Sequence, residues 1–116
     1  MNAKRAAGLM TIARYYGNEH QLLKLMEELG EAESAASEVM QLLAYSDDGD
    51  KERDLEMRLE HLAGELADVA NLTEQILFLF GLETEYKVAR HEGVRKTLAR
   101  IRKECDLVGT EDDADD

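Results

Sequence analysis

The fold class of this chain is decided by residues 21–32, which read QLLKLMEELGEA. Apolar residues recur there at every third or fourth position, which is the spacing of one face of an α-helix. Leu, Met, Glu and Ala are strong helix formers, and the whole chain contains no proline. We therefore predict a long helix from about Glu19 to Tyr45, with the centre of its apolar face near Leu25, Leu29 and Ala36.

Three further helices are predicted around this long one. Gly17 interrupts the pattern before it, and Asn18 is a candidate N-cap for its first turn. Residues 46–50 have the composition of a turn, and Gly81 is a candidate C-cap after the next apolar run. The expected fold is an all-α bundle of about four helices, two of them long and central. The other three helices extend from about Ala3 to Tyr15, from about Lys51 to Phe80, and from about Glu83 to Glu104.

The composition indicates one small domain. A chain of 116 residues with 44% apolar residues can bury one modest core, so we assign residues 1–109 to a single helical domain. Residues 110–116 form an acidic tail that we expect to be disordered. The net charge is −12, and −7 remains without the five acids of the last six residues. This balance disfavours nucleic-acid binding, because a phosphate backbone requires a basic surface. It fits either cation sites or simply a soluble surface.

Neither disulfides nor membrane segments are expected. Cys105 is the only cysteine, which excludes an intrachain disulfide. The N-terminus leads into no long apolar run, and no stretch has the roughly 18 consecutive apolar residues of a membrane span. We therefore expect a cytoplasmic protein.

Acidic residues form two patterned groups on the two long helices. Glu27, Glu28 and Glu31 lie on the first, and Glu65 and Asp68 lie on the second. Carboxylates three residues apart project from neighbouring turns of one helix face. If the helices face each other, four carboxylates share one small volume, and such oxygen-rich sites bind hard divalent cations, Mg²⁺ above all.

The helical positions of these acids predict partial burial. Glu65 and Asp68 share a sector with Leu72 further along the helix, and Glu28 lies at the edge of the apolar face. Glu27 points nearly opposite the centre of that face. A buried carboxylate needs a partner or a metal ion. The alternative is an ordinary solvated face, since acids three residues apart occur on many soluble helices.

The pattern resembles the MazG-like family of all-α nucleoside triphosphate pyrophosphohydrolases. Its hallmark is Glu-Glu-x-x-Glu on one helix and Glu-x-x-Asp on the next, found here at residues 27–31 and 65–68. The likeness to the short, single-domain bacterial and phage members covers about Tyr15 to Arg102. It includes Tyr16-Gly17-x-x-x-Gln21-Leu22-x-Lys24-Leu25, then Val69, Asn71 and the stretch Lys96-Thr97-Leu98-Ala99-Arg100-Ile101.

The resemblance implies hydrolysis of the α–β phosphoanhydride of a nucleoside triphosphate, giving a monophosphate and pyrophosphate. It assigns Glu28, Glu31, Glu65 and Asp68 as ligands of Mg²⁺, with Mn²⁺ as the alternative ion. Glu27 completes the catalytic motif, at most as a residue that activates water or supports the ligands. The metal would bridge the acids to the anionic phosphates.

Basic residues are the candidates for phosphate binding. Lys96 and Arg100 resemble basic fourth-helix positions of the family that reach the phosphates. Many members carry Asn-Arg there, whereas this chain has Arg95-Lys96, which leaves the detailed contacts open. Lys24 lies one turn before Glu28 and is interpreted either as a phosphate contact or as a surface ion pair.

Two amide side chains are candidates for nucleoside binding. Gln21 and Asn71 have the donors and acceptors that a base or ribose requires, although either could instead join helices by hydrogen bonds. Tyr15 and Tyr16 could stack on a base or pack in the protein.

The sequence therefore predicts an Mg²⁺-dependent hydrolase that acts on nucleoside triphosphates in nucleotide-pool control or house-cleaning. A non-enzymatic helical interaction module is the alternative. A family enzyme that acts on another pyrophosphate-bearing molecule is a third possibility. We also expect a homo-oligomer, because the long apolar helices exceed what one small bundle can bury. The resemblance implies a homodimer or a tetramer made of two dimers.

Overall fold

The computed structural model describes residues 2–45 and 51–105, and these ranges contain four helices and no strand. The all-α prediction is thereby confirmed. The predicted turn at residues 46–50 and the acidic tail lie outside the described residues. The chain divides into two compact units, Met1–Phe80 and Gly81–Asp116. The helices are α1 (Ala3–Tyr16), α2 (Asn18–Tyr45), α3 (Lys51–Phe80) and α4 (Glu83–Glu104).

Local capping sets several helix ends. The Asn2 side chain accepts a hydrogen bond from the Arg5 N–H at 2.8 Å and caps α1. Gly17 has a φ of 88°, and its carbonyl accepts the Gln21 N–H at 3.1 Å. Gly17 therefore takes the capping position of α2, and Asn18 is already the first helical residue. Gly81, with a φ of 65°, follows α3 in the left-handed conformation expected of a C-terminal glycine.

Helices α2 and α3 form an antiparallel hairpin. Gln21 is hydrogen-bonded to Gln75, and the Glu38 and Arg58 side chains approach to 3.7 Å. The two helices therefore run in opposite directions, and the start of α2 lies beside the end of α3.

The contact between α2 and α3 follows one row of residues on each helix, here called the inner row. All of its members are buried or half-buried, and their spacing alternates between three and four residues, as in a coiled coil. On α2 the inner row is Gln21, Leu25, Glu28, Ala32, Ala35, Val39 and Leu42; on α3 it is Leu55, Arg58, Leu62, Glu65, Val69, Leu72, Ile76 and Leu79.

The buried face of α2 differs from the predicted one. Leu29 is 49% exposed and Ala36 is also exposed, although both were placed near the centre of the apolar face. The apolar residues of α2 occupy two adjacent rows, so their mean direction falls between the rows. The buried residues of α2 are those of the single row that faces α3. This row contains the polar residues Gln21 and Glu28.

Helix α1 packs on the hairpin where α2 begins and α3 ends. Leu9 and Ala13 are its buried residues, and it contacts both long helices. The Arg14 guanidinium lies 5.1 Å from the centre of the Phe78 ring, a cation–π distance. Helices α1 and α2 therefore both pack against the C-terminal third of α3, where its buried residues concentrate.

The second unit contains α4, which has no buried residue. Across the described ranges, no helix combines the length and the apolar character that crossing a membrane requires.

Candidate metal centre and adjoining groove

Three of the acids singled out in the sequence come together between α2 and α3. Glu28, Glu31 and Glu65 each offer a carboxylate oxygen, and these oxygens lie within 4.8 Å of one another. Glu28 and Glu65 belong to the inner rows, and Glu31 lies nearly one turn after Glu28. The antiparallel pairing of the helices brings the two motifs to the same level.

Two of these carboxylates are largely buried and only partly paired. The side chains of Glu28 and Glu65 are 9% and 16% exposed. One oxygen of each, Oε1 in both cases, is buried and has no hydrogen-bond partner within residues 2–45 and 51–105. Leaving a buried acceptor unpaired costs roughly 1–3 kcal/mol, and more for a charged group.

The second oxygen of each buried carboxylate faces a nitrogen. Glu28 Oε2 lies 3.4 Å from Lys24 Nζ, and Glu65 Oε2 lies 3.8 Å from His61 Nε2. The Lys24 ammonium thus offsets part of the negative charge, and the Oε1 atoms of Glu28 and Glu65 are left for another cation. Clustered carboxylate oxygens are the ligands that Mg²⁺ and Mn²⁺ prefer, so the residues fit the predicted metal.

The other two motif acids lie outside this cluster. Asp68 is exposed and lines a groove next to Glu28. Glu27 is exposed, and its Oε1 accepts a hydrogen bond from Lys24 Nζ at 3.0 Å. The structure therefore joins three of the four predicted ligands and places the fourth at the neighbouring groove.

Lys24 is the cation beside the cluster. Its pKa is raised above the ordinary 10.5, chiefly by the hydrogen bond and charge of Glu27 and then by the hydrogen bond to Glu28. The ion pair with Glu28, one of the two interpretations of this residue, is present. A contact between Lys24 and phosphate stays a prediction.

A groove of about 580 Å³ adjoins the acids, and α1, α2 and α3 all line it. This volume lies within the range of small-molecule sites. Acids lie along part of its wall, and aromatic and amide side chains lie along the rest. The lining residues are Ile12, Tyr16, His20, Gln21, Lys24, Glu27, Glu28, Asp68, Asn71, Leu72 and Gln75.

A chain of hydrogen bonds crosses the floor of the groove. Gln21 Nε2 donates to Gln75 Oε1 at 2.6 Å, and Gln21 Oε1 lies 2.7 Å from His20 Nδ1. Because an amide oxygen can only accept, the shared hydrogen belongs to the His20 ring. Gln21 and Gln75 are both buried. Gln21 therefore joins two helices, which is the alternative role that its sequence position allowed.

Aromatic rings and one amide remain available at the groove. The His20 ring stacks on Tyr16 with centroids 4.5 Å apart, and Tyr15 meets Tyr16 edge-on at 4.9 Å. The Asn71 amide is exposed and makes no hydrogen bond within the described residues. Asn71 is thus the better placed of the two predicted nucleoside contacts.

Lys96 and Arg100 lie one turn apart on α4 and are exposed. They belong to the second compact unit, and their contact with phosphate stays a prediction.

Three residues of the site, His20, His61 and Gln75, are not among the candidates predicted from the sequence. The four-residue spacing of His61 and Glu65 is a signal that could have indicated their pairing. Gln75 comes one position before the inner-row residue Ile76. That position becomes a signal only when the pairing of α2 and α3 is known.

Comparison of the chain with family models, with curated proteins and with solved structures finds no match.

Proposed function

We propose that this protein is an Mg²⁺-dependent hydrolase of nucleoside triphosphates, of the MazG-like kind, acting in nucleotide-pool control or house-cleaning. Water would cleave the α–β phosphoanhydride and release a nucleoside monophosphate and pyrophosphate. One observation carries the proposal. Glu28 and Glu65, on different helices, each have a buried carboxylate oxygen with no hydrogen-bond partner in the part of the chain that the structure describes, and both carboxylates cluster with that of Glu31.

Glu28, Glu31 and Glu65 hold the metal in this proposal, and Asp68 is the fourth acid at the groove side. Triphosphate and carboxylates repel each other, so a site of this composition binds the substrate only through a cation. Bound Mg²⁺ neutralises phosphate charge and lowers the pKa of a coordinated water. Glu27, hydrogen-bonded to Lys24, supports that lysine at the edge of the cluster.

The groove holds the nucleoside in this proposal. Its stacked rings, Tyr16 and His20, offer the aromatic surface on which bases stack. Asn71 supplies an unengaged amide for the base or the sugar, and Gln21 positions His20 through its hydrogen bond. Lys24 lines the groove and is the first candidate to bind the phosphates, with Lys96 and Arg100 as further candidates.

The proposal is tested by neutralising one acid at a time. We expect Glu65→Gln and Asp68→Asn to abolish Mg²⁺-dependent pyrophosphate release from a panel of ribo- and deoxyribonucleoside triphosphates, with helicity retained by circular dichroism. Glu60→Gln is the matched control, since Glu60 is an exposed acid of α3 with no ion pair among the described residues. Turnover that persists in both Glu65→Gln and Asp68→Asn would refute the site.

A helical interaction module is the second candidate, and the large exposed apolar side chains of α2 and α3 favour it. The same nucleotide panel separates the two functions. No product from any nucleotide, in a folded sample with Mg²⁺ or Mn²⁺, would favour the module. Release of phosphate or pyrophosphate from a different pyrophosphate-bearing compound would keep the site and change the substrate.

A further inference from the structure

Lys24 is shared between the acid cluster and the groove. Its Nζ lies 3.0 Å from Glu27 Oε1 and 3.4 Å from Glu28 Oε2. The same side chain lines the groove, and Glu28 is one of the three acids whose oxygens converge. A cation that binds to Glu28 and an anion that binds in the groove therefore both act on this one ammonium.

The two carboxylates beside Lys24 differ in their surroundings. The Glu27 side chain is 58% exposed, and its contact with Lys24 is a hydrogen bond. The Glu28 side chain is 9% exposed, its contact with Lys24 is longer, and its Oε1 has no hydrogen-bond partner in the described part of the chain. Lys24 thus balances the buried carboxylate only in part. A second cation at Glu28 competes with the ammonium for the same negative charge.

The Lys24 side chain can change partners without disturbing the fold. It is 45% exposed and carries its charge on a flexible stem with three donors. Both acids that it contacts lie on its own helix, three and four positions further on, so its ion pairs do not hold α2 against α3. Its pKa is raised, chiefly by the hydrogen bond to Glu27, so it remains a cation at neutral pH. Lys24 is therefore a positive charge that can move from Glu28 to a ligand in the groove.

We propose that Lys24 exchanges partners when the acids bind a divalent cation: it pairs with Glu28 in the metal-free protein and with a phosphate group of the groove ligand in the metal-bound protein. The inference rests on the proposed function, since it takes the acids as a metal site and the groove as a phosphate site. A divalent cation at Glu28 repels the nearby ammonium and takes over the charge that it balanced. A phosphate in the groove then offers Lys24 the negative charge that Glu28 no longer does.

The exchange couples the binding of metal and phosphate. In the absence of phosphate, the metal must displace Lys24 from Glu28, so the lysine weakens metal binding. In the presence of phosphate, the displaced ammonium has a new partner, so each ligand strengthens the binding of the other. Removing the lysine should therefore change the two affinities in opposite directions. A lysine that only positions Glu28, or only binds phosphate, does not give this pair of changes.

The test compares the wild type with Lys24→Met in two titrations of the full chain. Mn²⁺ alone is titrated by the loss of the electron paramagnetic resonance signal of the free ion. Pyrophosphate is titrated by calorimetry in saturating Mg²⁺, where it is present as its Mg²⁺ complex. We expect Lys24→Met to bind Mn²⁺ about fivefold more tightly and pyrophosphate about fivefold less tightly, which is the lower end of typical coupling between sites.

Lys4→Met is the matched control, because Lys4 is exposed on α1 and has no ion pair within the described residues. It removes the same charge from the chain, and both of its affinities should equal those of the wild type. Lys24→Gln, which is also neutral, should show the same two changes as Lys24→Met and keeps the test decisive if methionine disturbs the fold.

The exchange is overturned if only one of the two affinities changes. Weaker pyrophosphate binding alone would make Lys24 a fixed phosphate contact, and tighter Mn²⁺ binding alone would make it a counter-ion of Glu28. Equal changes in Lys4→Met would also overturn it, because the overall charge would then explain them. A wild type that binds no Mn²⁺ would overturn the metal centre and the exchange together. Neither titration requires turnover, so these readings stand whether or not the protein hydrolyses nucleotides.

Discussion

Glu28 places a carboxylate at a position of α2 that packs against α3. It occupies an inner-row position, where a leucine would serve helix packing, and its side chain is almost fully buried. Lys24 lies near one of its oxygens, and the other has no hydrogen-bond partner among the described residues. A carboxylate held in this way costs folding free energy unless a cation arrives. The residue is therefore explained more readily by ligand binding than by stability.

Lys24 gives a prediction about pH. Its pKa is raised, so the folded state binds the proton more tightly than the unfolded chain does. The stabilisation from its ion pairs is then fully present below the ordinary value of 10.5 and is lost as the pH rises through the higher, folded-state pKa. The contribution is small, because the lysine is solvated and salt screens it.

Urea unfolding of the wild type and Lys24→Met, without divalent cations, measures this contribution. We expect the difference in unfolding free energy to stay constant from neutral pH to about 10.5 and to shrink above it. A difference that disappears near neutral pH would show that Lys24 is not held by Glu27 and Glu28.

At the scale of the helices, Gln21 and Gln75 connect α2 to α3 within the buried part of the groove. Replacing one of them by leucine leaves the other amide buried without its partner, which we expect to cost about 1–3 kcal/mol. Replacing both leaves neither amide buried without its partner. The double variant Gln21→Leu, Gln75→Leu should therefore be more stable than the sum of the single changes predicts. Urea denaturation of the four proteins measures this coupling. Strictly additive effects would contradict the hydrogen bond.

Helix boundaries were predictable because local residues set them. Gly81 has the left-handed conformation that ends α3, and the bounds Lys51–Phe80 and Glu83–Glu104 agree with the sequence prediction. The direction of the buried face of α2 was not predictable in this way. Two adjacent apolar rows satisfy the same periodicity, and only the partner helix decides which row is buried.

The candidate site was predictable to a similar extent. The motif spacing indicated that Glu28, Glu31 and Glu65 share one volume, and their oxygens do converge. The sector shared with Leu72 indicated that Glu65 is partly buried, which it is, whereas Asp68 is exposed. The unpartnered oxygens and the stacking of His20 on Tyr16 depend on how the helices pack, which spacing alone does not specify.

At the scale of the molecule, the charge of −12 complicates any test of metal binding, because divalent cations also screen an acidic surface. Specific binding differs from screening in two respects. It saturates, and it depends on particular carboxylates. A ligand that binds only the folded state stabilises it by about 2.7 kcal/mol at a concentration 100 times its dissociation constant.

Thermal unfolding with and without Mg²⁺, at matched ionic strength, therefore distinguishes the metal centre from general screening. We expect Mg²⁺ to raise the midpoint of the wild type and chelation to reverse the rise. Glu28→Gln should start from a higher midpoint, because it removes a buried charge, and should gain nothing from Mg²⁺. Glu60→Gln changes the net charge equally but keeps the cluster, so it should respond as the wild type does. If Glu28→Gln and Glu60→Gln gain equally from Mg²⁺, the ion acts on the overall charge, and the acids between α2 and α3 are not its site.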